Sequence, residues 1–133
     1  MDRRQALHTS AALASGAVLP GLAHGAVSAP YSFDVAPPMG SAEAFVSWMV
    51  KNRGEKTRQL AERYQRFSAL VKNKDLWDDR NKRAFLMTPR EEFVLPRNLA
   101  RAYEHAFLDI GWGVTISGPH LVGRMTSVID VKM

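Results

Sequence analysis

The sequence predicts a mainly α-helical protein. Between residues 41 and 87, apolar side chains recur at three- and four-residue spacing in three successive segments, which is the period of an amphipathic helix. The alternating pattern typical of half-buried strands does not occur in this region. Serine, glycine and proline stand where these helices would begin and end. With 133 residues, the chain has room for one small domain with a single core.

Residues 1–29 have the order of a secretory signal peptide. A basic start with Arg3 and Arg4 precedes a weakly apolar run, and small residues follow. Paired arginines before such a run resemble a twin-arginine signal, so we expect export to the periplasm, with cleavage after Ala26 or Ala29. The run is too short to span a membrane. The alternative is an alanine-rich helix of a cytoplasmic protein, which the glycines and proline of this segment would interrupt.

Residues 30–40 predict an extended linker, because prolines and a glycine replace the apolar periodicity. Residues 41–82 then predict a helical segment. Ser41 is the expected N-cap of its first helix, and Gly54 follows the last turn of that helix.

Two further helices are expected before Pro89. One runs from about residue 57 to 72, with arginines on its solvated face. Its apolar stripe consists of Leu60, Tyr64, Phe67 and Val71. The other begins at Leu76 or Trp77 and ends at Met87, since a proline disfavours helix in the residue before it. We expect the aromatic residues of the stripe to form core rather than to contact a cofactor.

The composition excludes several kinds of site. The chain has no cysteine, which excludes disulfides, thiolate metal ligands and cysteine nucleophiles. Its four histidines are scattered at spacings that do not suit metal ligation, so no metal site is predicted. The net charge is +5, but basic and acidic residues alternate as they do on solvated helix faces. Because no aromatic and basic module accompanies the charge, we expect no nucleic-acid binding.

The segment 83–133 carries the most specific motifs. They are, in order, Pro89–Val94, Ala102–Tyr103, Ile110–Pro119 and Arg124–Thr126. This series resembles the N-terminal subdomain of protein-L-isoaspartate O-methyltransferases, which have four such motifs in this order and at nearly this spacing. The resemblance implies the helical N-terminal subdomain of an α/β class I, Rossmann-like methyltransferase, whose sheet is missing from these residues.

The residues of the third motif also favour a ligand site on physical grounds. Gly111 and Gly113 flank a tryptophan in a predicted tight turn, where backbone without a Cβ can approach a ligand closely. On an extended stretch, Thr115 and Ser117 would point to the same side. Pro119 predicts the first turn of a helix, so Ser117 would lie near free N–H groups that favour a carboxylate.

The resemblance implies roles for four residues. Val114, Thr115, Ile116 and Ser117 would contact S-adenosylmethionine, and Ser117 would be the catalytic, active-site serine. The implied reaction is methyl transfer from S-adenosylmethionine to the carboxylate of damaged aspartyl residues, a protein repair reaction, with isoaspartyl proteins or peptides as partners. The alternative role for Thr115 and Ser117 is to cap the helix that follows.

One expected motif does not occur in the 133 residues. Class I methyltransferases hold the cofactor with a glycine-rich turn after a strand and with an acidic residue at the end of the next strand, and neither is present here. We therefore expect an incomplete fragment that is inactive alone, with the cofactor domain encoded elsewhere or supplied by a separate chain. The alternative is a non-catalytic, exported helical module that binds a protein partner.

Overall fold

The structure, a computed structural model, describes residues 35–130 of the chain. These residues form four α-helices, two 3-10 helices and one small sheet of two strands. The α-helices are α1 (Ala42–Arg53), α2 (Thr57–Lys72), α3 (Asp79–Met87) and α4 (Pro119–Ile129). The 3-10 helices are Arg90–Phe93 and Pro96–Arg101, and the strands are β1 (Leu108–Gly111) and β2 (Val114–Ile116). A mainly α-helical chain is therefore confirmed, whereas the predicted signal peptide lies outside the described residues.

Helix α1 begins and ends at the predicted residues. The Ser41 hydroxyl accepts a hydrogen bond of 3.2 Å from the N–H of Ala44, which satisfies one of the free donors of the first turn. Gly54 follows the helix with φ +66°, and its N–H donates to the carbonyl of Val50. A left-handed residue at this position favours glycine, because a Cβ would be strained there.

The main core lies where α1 and α2 pack against each other and against α3. Its buried members are Phe45, Met49, Leu60, Phe67, Leu70, Leu76, Leu86 and Met87. Tyr64 packs between Phe45 and Phe67, with a ring-centroid distance of 5.6 Å to each. Its hydroxyl donates to the carbonyl of Met39 across 2.7 Å, which satisfies the polar end of a half-buried side chain. The predicted stripe of α2 is therefore core.

Helix α3 begins later than predicted. The expected start was Leu76 or Trp77, but the helix starts at Asp79, because the Asp78 carboxylate accepts a 2.9 Å hydrogen bond from the N–H of Asn81 and acts as the N-cap. Leu76 is buried, but it belongs to the irregular segment before the helix. Helix α3 ends at Met87 as predicted, and it runs across the boundary expected between residues 82 and 83.

A second core cluster supports the sheet, and it consists of Val94, Ala102, Tyr103 and Leu108.

Helix α4 packs against the turn between α2 and α3. On α4, the Arg124 guanidinium pairs with the buried Asp75 carboxylate at 2.6 Å. A Cβ on Gly123 would lie 3.2 Å from the Asp75 carbonyl, so the absence of a side chain allows this close approach. None of the helices between residues 35 and 130 is long and apolar enough to cross a membrane.

Candidate functional site

A tight hairpin presents the candidate site residues. Strand β1 pairs antiparallel with β2, with Leu108 opposite Ile116 and Gly111 opposite Val114. At the turn, Gly111, Trp112 and Gly113 all have positive φ angles of +102°, +52° and +74°. The glycines adopt these angles without a steric penalty, which accounts for their positions on either side of the tryptophan. Trp112 is 97% exposed at the tip.

The carboxylate of Asp109 stabilises this hairpin. It accepts a 2.8 Å hydrogen bond from the N–H of Gly111 and pairs with the Arg97 guanidinium. The hydrogen bond from Gly111, together with Arg97, holds the pKa of Asp109 below its usual value. The carboxylate therefore remains charged at neutral pH and fixes the irregularity that lies between Asp109 and Gly111.

The four predicted contact residues form one continuous stretch of the chain. Val114, Thr115 and Ile116 make up β2, and Ser117 lies in the connection to α4. Val114 and Thr115 are exposed, whereas Ile116 and Ser117 are half-buried. The hydroxyls of Thr115 and Ser117 make no hydrogen bond to any residue between 35 and 130. Both hydroxyls therefore remain available to a ligand.

The helix-cap alternative receives no support from this geometry. The N-cap of α4 is Gly118, which has no side chain, and Pro119 fills the first helical position as predicted. A Cβ on Gly118 would lie 2.7 Å from Cε1 of His120 and 2.9 Å from its Nδ1. The His120 ring stacks on His105 with a centroid distance of 3.7 Å. The imidazole folds back over the N-terminus of its own helix, so a side chain at position 118 would have to displace it.

An apolar groove lies beside β2. Its volume is about 240 Å³, and α3, the first 3-10 helix, β2 and α4 provide its walls. Among the four predicted contact residues, Ile116 lines this groove. Phe85 and Phe93 are among its aromatic lining residues, and Arg90 is its charged lining residue. Neither the motifs nor the apolar periodicity of the sequence predicted this groove.

A buried ionic network lies next to the groove, and its centre is Arg63 of α2. The arginines of α2 were expected on the solvated face, and for Arg63 this was wrong, since the residue is fully buried. Its Nη2 is 2.8 Å from carboxylate oxygens of both Glu55 and Glu91. Its Nη1 donates to the Leu86 carbonyl at 3.0 Å, and its Nε donates to the Tyr103 hydroxyl at 2.8 Å. Two carboxylates and two further acceptors compensate the loss of hydration.

Tyr103 joins this network to the 3-10 helices. Its hydroxyl donates to the Glu91 carboxylate and accepts a 3.1 Å hydrogen bond from the N–H of Arg90. Burial raises the pKa of Tyr103, so the hydroxyl stays protonated over the physiological range. Arg90, Glu91 and Tyr103 fall within the motifs Pro89–Val94 and Ala102–Tyr103, whereas Glu55 and Arg63 precede both motifs. Among residues 35–130, no group of three or more carboxylates and histidines could hold a metal ion.

Comparison with known proteins gives a consistent match. The family model described as protein-L-isoaspartate(D-aspartate) O-methyltransferase matches residues 44–133. The chain is 42% identical over 78 residues to the protein-L-isoaspartate O-methyltransferase of Hyperthermus butylicus, covering 59% of this chain and 30% of that protein. For the enzyme of the same name from Rhodospirillum centenum, the identity is 44% over 71 residues, which is 53% of this chain and 32% of the relative.

A shorter match has a higher identity. The protein-L-isoaspartate O-methyltransferase of Shewanella pealeana is 51% identical over 47 residues, or 35% of this chain and 22% of that enzyme. In these three cases, the matched region spans about a third or less of the relative's length. The family match includes the hairpin, the groove and the buried network described above. The chain therefore belongs to the protein-L-isoaspartate(D-aspartate) O-methyltransferase family.

Proposed function

We propose that this chain provides the N-terminal subdomain of an enzyme that methylates the carboxylate of isoaspartyl residues in damaged proteins. The observation that carries the proposal is the position of Ser117. Its half-buried hydroxyl has no partner within residues 35–130 and lies one residue before the N-cap of α4, inside the segment that matches the family. A protein or peptide that contains isoaspartate is the proposed partner.

The proposed role of Ser117 is to position the substrate. Its hydroxyl donates a hydrogen bond to the isoaspartyl carboxylate, and such bonds to a charged acceptor are short and strong. The N-terminus of the 11-residue helix α4 carries partial positive charge, which also favours an anion there. A carboxylate is already a nucleophile, so its alignment for in-line transfer, rather than its activation, is the main requirement.

The cofactor of the proposed reaction is S-adenosylmethionine, which supplies an electrophilic sulfonium methyl group when it is bound. Three neighbouring residues fit a contact with one edge of such a molecule. Val114 offers an exposed apolar side chain, Thr115 a hydroxyl that has no partner within residues 35–130, and Ile116 an apolar wall. The 133 residues contain no glycine-rich cofactor turn. We therefore propose that this chain alone does not turn over, and that the principal cofactor contacts come from a further domain, on the same or a separate polypeptide.

Methylation assays with two proteins test this proposal. One is the 133-residue chain, and the other is the same chain extended by the cofactor domain of the Hyperthermus butylicus relative. Each is incubated with labelled S-adenosylmethionine and an isoaspartyl peptide, with the matching aspartyl peptide as the control. We expect label in the isoaspartyl peptide with the extended protein only. Turnover by the 133-residue chain would show that its inactivity was wrongly inferred. A folded, cofactor-binding extended protein that leaves the isoaspartyl peptide unlabelled would contradict the proposed function.

A further inference from the structure

Arg90 is a buried cation, and one of its hydrogen-bond donors has no partner in the part of the chain that the structure describes. The residue is 8% exposed, and its Nε donates to the Ala102 carbonyl at 2.7 Å. Its backbone N–H donates to the Tyr103 hydroxyl, so both ends of the residue are fixed. Nη2 is also buried, but it has no hydrogen-bond partner within residues 35–130. No carboxylate of that part of the chain pairs with the guanidinium, since the nearby Glu91 binds Arg63 and Tyr103 instead.

Burial of the Arg90 guanidinium costs free energy unless an anion pairs with its charge. Burial lowers the pKa of Arg90, but a guanidinium remains charged at neutral pH. Charged groups in protein interiors are normally paired and hydrogen-bonded, because the lost hydration is otherwise uncompensated. For Arg63 the chain supplies Glu55 and Glu91 as counterions. For the Arg90 guanidinium, the residues between 35 and 130 supply the backbone carbonyl of Ala102 and no carboxylate.

Arg90 is among the residues that line the apolar groove of about 240 Å³. Its lining residues include Phe85 of α3, Phe93 of the first 3-10 helix, Ile116 of β2 and Val122 of α4. Pockets that take drug-sized ligands have volumes of about 300–1,000 Å³, so this groove suits a smaller molecule. The combination of one buried cation with mainly apolar walls specifies a small ligand with one anionic end.

We propose that the groove binds a small organic monocarboxylate, whose carboxylate pairs with the Arg90 guanidinium and whose apolar body packs against Phe85, Phe93 and Ile116. A planar guanidinium matches a carboxylate geometrically and can bind it through two parallel hydrogen bonds. One negative charge balances one buried cation. A phosphate dianion would leave a second charge among apolar walls, which is unfavourable. The site shares Ile116 with the proposed cofactor contact, but it uses neither Thr115 nor Ser117.

Titrations of the 133-residue chain test this site directly. Sodium hexanoate is the probe, and 1-hexanol and hexylamine have the same apolar chain with a neutral and a cationic end. Binding is followed by backbone amide and arginine Nε chemical shifts at constant ionic strength. Hydrogen bonds to charged groups typically change affinity by about ten- to a hundred-fold, so hexanoate should bind at least about ten-fold more tightly than hexanol. Hexylamine should not bind in the groove.

Three variants locate the binding. Val122→Phe fills the groove and should weaken hexanoate binding by at least about ten-fold. Val128 lies on the same helix, is 67% exposed and does not line the groove. Val128→Phe should therefore leave hexanoate binding unchanged. Arg90→Lys keeps the charge but removes the planar donors, so the preference for hexanoate over hexanol should fall. If Arg90→Lys does not fold, the comparison of Val122→Phe with Val128→Phe still tests the proposal. Equal binding of hexanoate and hexanol, equal effects of the two phenylalanines, or no saturable shift would each overturn the proposal.

Discussion

The hydroxyl of Tyr103 accepts a 2.8 Å hydrogen bond from Nε of Arg63, although the two residues are 40 positions apart. The contact joins α2, which belongs to the main core, to the second core cluster beneath the hairpin. The backbone carbonyl of Tyr103 adds a second link, since it accepts a 2.6 Å hydrogen bond from Nε of Arg66. The hairpin that precedes Ser117 is therefore attached to the helical part of the chain through polar contacts as well as through apolar packing.

Replacing Arg63 by methionine should destabilise the protein strongly. The substitution leaves the carboxylates of Glu55 and Glu91 without their shared cation, and breaking a buried ion pair from one side costs about 3–5 kcal/mol. The free energy of unfolding from urea denaturation measures the effect. Arg58→Met is the matched control on α2, where the side chain is exposed, and it should change stability by less than about 0.5 kcal/mol. Similar values for the two variants would contradict a structural role for the network.

Tyr103→Phe should reduce stability at neutral pH by about 1–3 kcal/mol, because three hydrogen bonds use the hydroxyl. The difference in the free energy of unfolding between the two proteins should become smaller at alkaline pH. Burial raises the pKa of Tyr103 in the folded state, so its contribution is complete below the unfolded pKa of about 10 and is lost as the pH rises beyond it. Urea denaturation of both proteins between neutral pH and about pH 11 measures this. A difference that grows with pH would mean that the folded state favours the phenolate.

Gly113→Ala should cost about 1–2 kcal/mol, because an L-residue is strained at φ +74°. An added Cβ at Gly113 would meet nothing within 4 Å. The loss of stability would therefore come from the backbone angle rather than from a steric clash. Gly40→Ala is the control, with equally open surroundings but without a positive φ, and it should be close to neutral. Thermal unfolding compares the two variants. Equal losses at both positions would show that the backbone angle is not the cause.

Ser117→Ala should lower the rate of methyl transfer much more than it lowers stability in the extended protein described above. A lost hydrogen bond to a charged group is worth about 1.5–3 kcal/mol, which is roughly ten- to a hundred-fold in rate if it acts in the transition state. Initial rates and melting temperatures are measured on the same samples. Ser68→Ala, at an exposed position of α2, should change neither. A lower melting temperature with an unchanged rate would make Ser117 a structural residue.

We also propose that the chain is exported by the twin-arginine route, on the basis of Arg3 and Arg4 and the weakly apolar run that follows them. A reporter fused to residues 1–40 should reach the periplasm of a bacterial host. Changing both arginines to lysine should retain it in the cytoplasm, although the charge is the same. Cell fractionation separates these results, and export of the lysine variant would exclude this route.

Local signals in the sequence were sufficient to predict most of the helices. The side chain of Ser41, the left-handed Gly54 and the apolar period of α2 each act within a few residues, and all three predictions are confirmed. The predicted start of α3 was wrong because Leu76 continues the apolar pattern, although the chain is irregular at this residue. Burial at Leu76 comes from packing with distant residues, which periodicity cannot distinguish from a helical face.

The candidate site was predictable only in part. The motif that contains Ser117 identified the family and the stretch Val114–Ile116, which the structure places in β2. By contrast, the burial of Arg63 depends on carboxylates that the fold brings from other segments. The unpaired donor of Arg90 likewise becomes apparent only once the surrounding helices are in place. A charged residue in a helical pattern favours the solvated face by default, and its counterions cannot be read from spacing alone.

The exposure of Trp112 also makes the hairpin visible to optical spectroscopy. The chain has three tryptophans, of which Trp48 is half-buried, Trp77 is 48% exposed and Trp112 is 97% exposed. Replacing Trp48 and Trp77 by phenylalanine would leave one indole fluorophore at the tip of the turn, and acrylamide should quench its emission almost as efficiently as that of free tryptophan. Any molecule that covers the hairpin would shield this fluorophore and shift its emission to shorter wavelengths. The protein thus carries its own reporter beside the candidate site.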